Sequence, residues 1–440
     1  MIGAAVVTLG CPKNEVDSEN MKGLLEKNGY CEEKNISKAD IIIVNTCGFI
    51  EDAKQESINT ILEMGKNKKN GRCRLLIVSG CLAQRYPKEL MREIPEIDAL
   101  VGTTGFMHIV DIIKDALDGK RSVCILDESL DIPENLPRTC GENRHYRYLR
   151  IAEGCSNYCS YCIIPKIRGR YRSRREEYII EEAKSLTDEG ARELILVAQD
   201  ITNYGSDLYG HKRLAQLLSK LCSVDNMEWL RLLYCYPEGI TEELIHTVKS
   251  LDKICKYLDI PVQHASDRIL KRMNRRITGT EIERLLYRLR EQIPGIVLRS
   301  TVIVGFPGEK DEDFKEVLSL VEKGYFDRLG VFTYSREEDT PAFHMKEHVP
   351  HHVALRRRET LMLEQQKISL GKNSTRIGKR MRIIVDGRES ELYYGRTYGD
   401  APDVDNRVLF TSKGSVKTGD FVEVEIDHAL EYDLVGRVVE

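Results

Sequence analysis

The chain has 440 residues, too many for one ordinary core, and at ~150 residues per domain this points to three units. Hydrophobic residues make up 41% and charged residues 31%, a soluble globular composition. No apolar run approaches the ~18 residues of a membrane span, and the opening Met1-Ile2-Gly3 runs into a strand pattern without a signal sequence. A net charge of −4 argues against a general electrostatic sponge for nucleic acid, and 13 cysteines, an odd and clustered set, exclude a secreted disulfide scaffold; they fit a reducing cytoplasm and metal ligation.

Residues 1–120 alternate strand and helix patterns. Ala4–Leu9, Ile41–Val44 and Leu75–Val78 are short continuous apolar runs, as expected of strands buried on both faces. Helical periodicity at Met21, Leu24 and Leu25 closes at Asn28-Gly29, and a second pattern holds Ile58, Ile61 and Leu62. Such β-α units imply an α/β fold with a small parallel sheet covered by helices on both sides. Each strand leads into a cysteine: Cys11, Cys47 and Cys81. The carboxyl ends of parallel strands share one edge of the sheet, where open α/β folds bind ligands. Cysteines 36 and 34 residues apart could therefore meet there as a three-thiol metal site. The alternative is that each fills a tight strand-to-helix turn. Gly10, Gly48 and Gly80 beside them suit a close approach of backbone to a bulky group.

Residues 121–145, with Asp131-Ile132-Pro133 and a polar stretch to Asn143, read as a linker in which Cys140 has no partner at metal spacing. Between 146 and 335, strand patterns begin near Tyr148, Glu193, Trp229, Tyr257, Ile296 and Arg328. They are separated by helical stretches that include Glu176–Glu189, Thr241–Leu251, Glu281–Gln292 and Asp311–Glu322. Six β-α units make an open (β/α)6 partial barrel, short of the eight that close one. A charged helical pattern over 356–372 leads to residues 373–440. There, alternating Met381, Ile383, Val385 and Phe421 to Ile426 with glycine turns read as a small antiparallel β-barrel.

Cys155, Cys159 and Cys162 follow the first strand of the open barrel in a C-x3-C-x2-C run. A tetranuclear iron–sulfur (4Fe-4S) cube has four irons, usually all held by thiolates. Three thiolates in eight residues hold three corners and leave one iron open, the mark of a site that reacts. The alternatives are a zinc site or three unrelated core cysteines. No fourth ligand stands at finger-like spacing, and Lys166, Arg168, Arg170, Arg172, Arg174 and Arg175 close behind argue against burial as plain apolar thiols.

The second cysteine trio resembles the S-adenosylmethionine (SAM) radical superfamily, and with the first trio and the three-part layout the whole chain is similar to its methylthiotransferases. The resemblance implies an amino-terminal unit over 1–118, a radical SAM core over 141–370 and a TRAM-type barrel over 373–440. It makes Cys155, Cys159 and Cys162 the ligands of a SAM-cleaving 4Fe-4S cluster, and Cys11, Cys47 and Cys81 the ligands of a second 4Fe-4S cluster that relays sulfur. Gln199, Gln263 and Gly305, each just past a strand end, are plausible SAM contacts; a loop role satisfying backbone groups explains either glutamine equally well, and a tight turn the Gly305–Gly308 pair. The tract Arg168–Arg175 reads as a solvated arginine face, with steering of SAM's carboxylate or of an acidic partner as the alternative.

Local wording separates branches of that family. Leu9-Gly10-Cys11-Pro12-Lys13-Asn14, Asn45-Thr46-Cys47-Gly48-Phe49 and Ala198-Gln199-Asp200 are similar to the branch that modifies an aspartate β-carbon of small-subunit ribosomal protein S-twelve. Relatives that modify tRNA adenosine typically place Gln-Met or a comparable pair at Pro12-Lys13. The resemblance further implies an electron donor such as flavodoxin or ferredoxin and a sulfur donor. Residues 373–440 hold 13 Asp/Glu against 10 Lys/Arg, the wrong sign for gripping tRNA phosphates and the right one for a basic protein. Asp400, Asp403 and Asp405 are the acids expected at the surface. A noncatalytic adaptor with two zinc sites is the reading from another class. Asp339 departs from the family pattern, which usually has glycine there.

Overall fold

The computed structural model describes residues 2–126, 132–141 and 145–439; Asp131 and Asn143, within the expected linker over 121–145, lie outside them. The first sheet contains β1 (Gly3–Thr8), β2 (Cys31–Glu32), β3 (Ile41–Thr46), β4 (Leu75–Gly80), β5 (Ala99–Val101) and β6 (Ser122–Cys124). They lie in the order β2-β1-β3-β4-β5-β6, all parallel. Separate apolar clusters pack on its two faces, one around Met21, Ile41, Ile77 and Ile113, the other around Ile42, Leu76, Ile61 and Leu90. The apolar runs of β3 and β4 thus feed both layers, as continuous rather than alternating runs should. β6 falls inside the segment expected to be a linker. It is a three-residue edge strand, too short to carry a period.

Around the second trio come β7 (Tyr146–Arg150) and the antiparallel pair β8 (Ala152–Glu153) and β9 (Arg172–Ser173). They are followed by β10 (Glu193–Val197), β11 (Trp229–Leu232), β12 (Ile254–Asp259), β13 (Val297–Val304) and β14 (Arg328–Thr333). The parallel sheet runs β14-β13-β12-β11-β10-β7 and is open between its edges. Its strands start within three residues of the sequence expectation. The helix His351–Ser374 then leads to β15 (Arg380–Glu389), β16 (Leu392–Arg396), β17 (Val408–Thr411), β18 (Phe421–Ala429) and β19 (Leu434–Val438), which close into a barrel. That barrel is not purely antiparallel, because β17 and β19 pair in parallel. Strand direction cannot alternate around a closed ring of odd number, so one of five seams must be parallel.

The C-terminal barrel docks where the core strands begin, opposite the cysteine loops. Glu193, fully buried at the start of β10, binds Arg231 at 2.6 Å and Arg396 at 2.7 Å. Trp229 stacks edge-on against Phe421 at 4.9 Å. This docking corrects the expected acidic surface: Asp400 pairs with Arg328 at 2.7 Å, and Asp405 with Tyr257 at 2.7 Å and Arg299 at 3.3 Å. Only Asp403 of the three is exposed. The acids lie in a loop, but the core's inward arginines need carboxylates more than solvent does.

Asp339, where the family pattern has glycine, holds φ = 65°. The position therefore demands the left-handed conformation that glycine supplies freely and aspartate tolerates. Asp339→Gly is expected to change stability by less than about 0.5 kcal/mol, and Asp339→Val to lower it by about 1–2 kcal/mol, read from thermal unfolding midpoints.

Candidate active site

Parallel register brings the first trio together. Thr46 pairs with Gly80, so Cys47 and Cys81 leave neighbouring strands at one level. Cys11 caps the helix Pro12–Lys27, and Cys81 opens the helix Cys81–Arg85 after Gly80 at φ = 92°. A β-carbon on Gly10 would stand 3.2 Å from Cys47 Sγ, and one on Gly48 would stand 3.0 Å from the Cys81 carbonyl carbon. These glycines, expected to admit a cluster, let the cysteine loops pack on one another. Gly80 is needed for its φ and for the Asn45 side chain, 2.4 Å from where a β-carbon would be. Burial pushes the Cys47 thiol up to about 12, and nearby Cys81 and Cys11 push the same way. Ionising such thiols requires a cationic partner, which a metal site provides.

In the second trio, Cys155 and Cys159 are buried and Cys162 is half-buried. Burial raises the Cys155 thiol to about 11 and pushes Cys162 upward as well. Gly154 (φ = 73°) leaves 2.1 Å between an added β-carbon and the Arg170 carbonyl oxygen, so the turn into the motif accepts nothing larger. Ser160 binds the Arg272 carbonyl at 2.7 Å, and the Asn274 amide binds that of Tyr158 at 2.8 Å. Tyr236 Oη lies 2.6 Å from Cys159 Sγ under the Arg275 guanidinium, 3.8 Å from the ring centre.

The arginine tract is not a solvated face. Arg168, only 2% exposed, binds both Glu153 oxygens at 3.1 Å, Asn14 Oδ1 at 2.7 Å and Asp17 Oδ2 at 3.2 Å. Arg150 binds Glu153 at 3.1 Å and pairs with Asp17 as well. Arg174 is buried against Glu134 and Glu182; Arg170 and Arg175 are exposed. Buried carboxylates neutralise the arginines, which is why thiols can be buried in so basic a stretch. Since Asn14 and Asp17 belong to the helix that starts after Cys11, this network locks the edge of the first sheet to the barrel mouth. Cys81 packs directly on Ile163 and Ile167, just past Cys162, and Thr103 Oγ1 donates to the Ile167 carbonyl at 2.8 Å. The loop of Cys81 thus packs on the segment that follows Cys162.

Gln199 donates to Glu153 at 2.8 Å, and Gln263 sits at φ = 70° beside Val302. The side-chain oxygens of both are buried without a hydrogen-bond partner, leaving two acceptors, one past the end of β10 and one past the end of β12 with β11 between them, for an amine or amide of a bound molecule. Gly305 has another explanation: at φ = 75° its missing β-carbon leaves room for Ala354, 2.5 Å away, on the helix His351–Ser374. Sequence reasoning missed Asp17, Glu153 and Tyr236. Glu153, directly before Gly154-Cys155, was the one with a local signal; the others meet the motif only through folding.

Among the described residues, no three His, Cys, Asp or Glu side chains are arranged to hold a single metal ion. The fit to iron–sulfur groups rests on the donors, two sets of three cysteines that are buried or half-buried in loops past strand ends, with Gln199 bonded to Glu153 just before the second set.

Three family models match the chain: the uncharacterized protein family UPF0004 over residues 4–102, the radical SAM superfamily over 149–321 and the TRAM domain over 377–439. Among solved structures, the radical S-adenosylmethionine methyltransferase TsrM from Kitasatospora setae aligns with a TM-score of 0.58 at 16% identity, covering 78% of this chain and 74% of that one. The cobalamin-dependent radical enzyme OxsB aligns at 0.51 and 13% identity, over 82% and 56%; both show the fold alone. Matching fold, family models and motif define this chain as a radical SAM enzyme. Ribosomal protein uS12 methylthiotransferase RimO is 50% identical in Clostridioides difficile, over 100% of this chain and 99% of the relative. Those of Pelotomaculum thermopropionicum (51%; 100% and 99%) and Geobacter sulfurreducens (49%; 99% and 98%) are equally similar. The chain belongs to this RimO family of methylthiotransferases.

Proposed function

We propose that this enzyme adds a methylthio group to the β-carbon of an aspartate in ribosomal protein uS12, using two 4Fe-4S clusters held by Cys11, Cys47 and Cys81 and by Cys155, Cys159 and Cys162. The observation that carries this reading is that the Arg168 network and the packing of Cys81 on Ile163 and Ile167 join the segments that bear the two trios. SAM and the clusters, when bound, supply the radical and the sulfur that side chains cannot. The chain's own contribution is position and dryness. Asn14, Asp17, Arg150, Glu153 and Arg168 fix the separation of the two loops, because each is buried and bonded to another of the set. Ile163, Ile167 and Cys81 form an apolar floor between the trios that keeps water out. The amide oxygens of Gln199 and Gln263 accept hydrogen bonds from SAM's amino groups. An electron donor such as flavodoxin or ferredoxin and a sulfur donor complete the turnover.

The preference for a protein over tRNA rests on the family and on Pro12-Lys13. The acidity of the C-terminal barrel supports it less, since Asp386, Asp400 and Asp405 are committed to Arg396, Arg328 and Arg299. Anaerobically reconstituted protein, given SAM and reductant, is expected to raise the mass of uS12 by about 46 Da, one methylthio group replacing hydrogen, and to leave tRNA unchanged. The same gain on tRNA adenosine with none on uS12 would overturn the substrate; a colourless protein that never cleaves SAM would overturn the chemistry.

A further inference from the structure

A groove of about 590 Å³ lies on the joint between the amino-terminal unit and the open barrel. One wall is the helix Glu51–Gly65, which begins four residues past Cys47. Another is formed by Leu82, next to Cys81, and the helix Pro87–Glu93. Arg336 and Phe343, in the segment that follows β14 at the barrel mouth, supply the third. The walls are bonded to one another. Glu337, only 2% exposed, binds Lys54 at 3.1 Å and Arg85 at 2.8 Å. Arg85 also donates to the carbonyls of Gly48 and Glu338, each at 3.0 Å. The groove is therefore preformed.

Its lining divides by chemistry. Ile58, Leu82, Leu90, Ile94 and Phe343 are buried or half-buried, and Leu62 stands 47% exposed among them. The exposed charges are Glu51, Glu89, Glu93, Glu338 and Arg336. Arg336 is held within the wall, over the Phe343 ring at 4.4 Å and donating to the Phe343 carbonyl at 3.1 Å. Lys54 is buried between Glu51 and Glu337. Among the described residues no cation pairs with Glu89 or Glu338. The helix Glu51–Gly65 adds the exposed acids Asp52, Glu56 and Glu63, with Lys54 as its only base.

A single exposed leucine is ordinary, but a contiguous apolar surface framed by charge has the form of a binding groove. The frame sets the occupant. Lysine and arginine lay their methylene stems on apolar surface and keep the charged head at its edge, where Glu89, Glu93 and Glu338 stand. A polyanion is repelled by such a rim, and a second copy of this chain, net −4, brings the same sign.

We propose that this groove receives a segment of the protein substrate next to the modified aspartate, one that carries lysine or arginine among apolar side chains. The inference rests on the uS12 reading and deepens it. A polypeptide that places one residue at the barrel mouth needs a track for the residues beside it, and the groove is walled by the segments that follow Cys47, Cys81 and β14. The acidic contact for a basic substrate thus moves to the amino-terminal unit, away from the C-terminal barrel whose Asp386, Asp400 and Asp405 are committed to arginines.

The test measures binding of labelled uS12 to anaerobically reconstituted holoenzyme at low and at high salt. Glu89→Lys combined with Glu93→Lys is expected to weaken binding ~10-fold or more at low salt and by less at high salt, because rim charges are screened. Leu62→Ser is expected to weaken it ~5–30-fold at both, as loss of an apolar anchor does. Glu316→Lys combined with Glu322→Lys, exposed acids of the helix Asp311–Glu322, makes the same change of net charge elsewhere and is expected to stay within ~3-fold of wild type. Three results overturn the assignment: groove variants that bind like wild type, a control pair that weakens binding as much as the groove pair, or iron lost from the groove variants. A wild type that dimerises through Leu62 would give the groove to a second copy and also overturn it. If wild type adds the methylthio mass to uS12 while the groove variants bind unchanged, only this inference falls; if wild type leaves uS12 unmodified, the uS12 reading falls first.

Discussion

Cys159→Ala is expected to halve the iron of anaerobically reconstituted protein, from about eight to about four per chain, and to abolish SAM cleavage. Cys47→Ala is expected to lose the same amount of iron yet keep SAM cleavage, while methylthio transfer to uS12 disappears. The contrast follows from position. Cys159 stands in the loop at the mouth of the open barrel, against Tyr236; Cys47 leaves the edge of the other sheet. Cys47 is the better probe of the first trio, because Cys81 packs on Ile163 and Ile167 and its loss would disturb both loops. Iron and sulfide quantitation with chromatographic detection of 5′-deoxyadenosine reads both halves. Complete loss of iron in either variant would mean one shared centre, and retention of all iron in both would remove the cysteines from the site.

The two trios were legible for different reasons. Cys155, Cys159 and Cys162 declare themselves by spacing within one loop. Cys11, Cys47 and Cys81 do so by repeating one place, the end of an apolar run, which a parallel sheet then converts to proximity through the Thr46–Gly80 register. What the sequence withheld is everything that joins one unit to another. Arg168 reaches Asn14 across 154 positions, and no local pattern links them. Asp400 and Asp405 look like loop acids until the core presents Arg328 and Arg299 to them. An arginine-rich tract reads as solvated because the carboxylates that neutralise it lie in other segments. Composition predicts exposure only where charges have no distant partner, and at these interfaces they do.

Because the Arg168 network is buried and closes on itself, removing one member should be far more damaging than any surface change. Arg168→Met is expected to destabilise the protein by about 3–5 kcal/mol, since Asp17 and Glu153 would keep their charge with one cation fewer. The effect should depend on pH, with a definite sign. Burial alone would push the Glu153 carboxyl up, but Arg168 and Arg150, with the Gln199 amide, outweigh it and bring it down from 4.5 to about 2. A depressed carboxyl stabilises the fold fully above its unfolded value and loses that stabilisation as pH falls towards its folded value. Wild type should therefore lose stability from about pH 4.5 downward, and Glu182, brought to about 2 against its burial by Arg174 and Arg138, contributes in the same window. In Arg168→Met the Glu153 carboxyl moves back up, so the variant should be weaker at neutral pH and lose less on acidification. Thermal midpoints of both proteins at pH 7 and pH 4 should converge as the pH falls; a gap that stays constant or widens would show that Arg168 acts through packing and not through its charge.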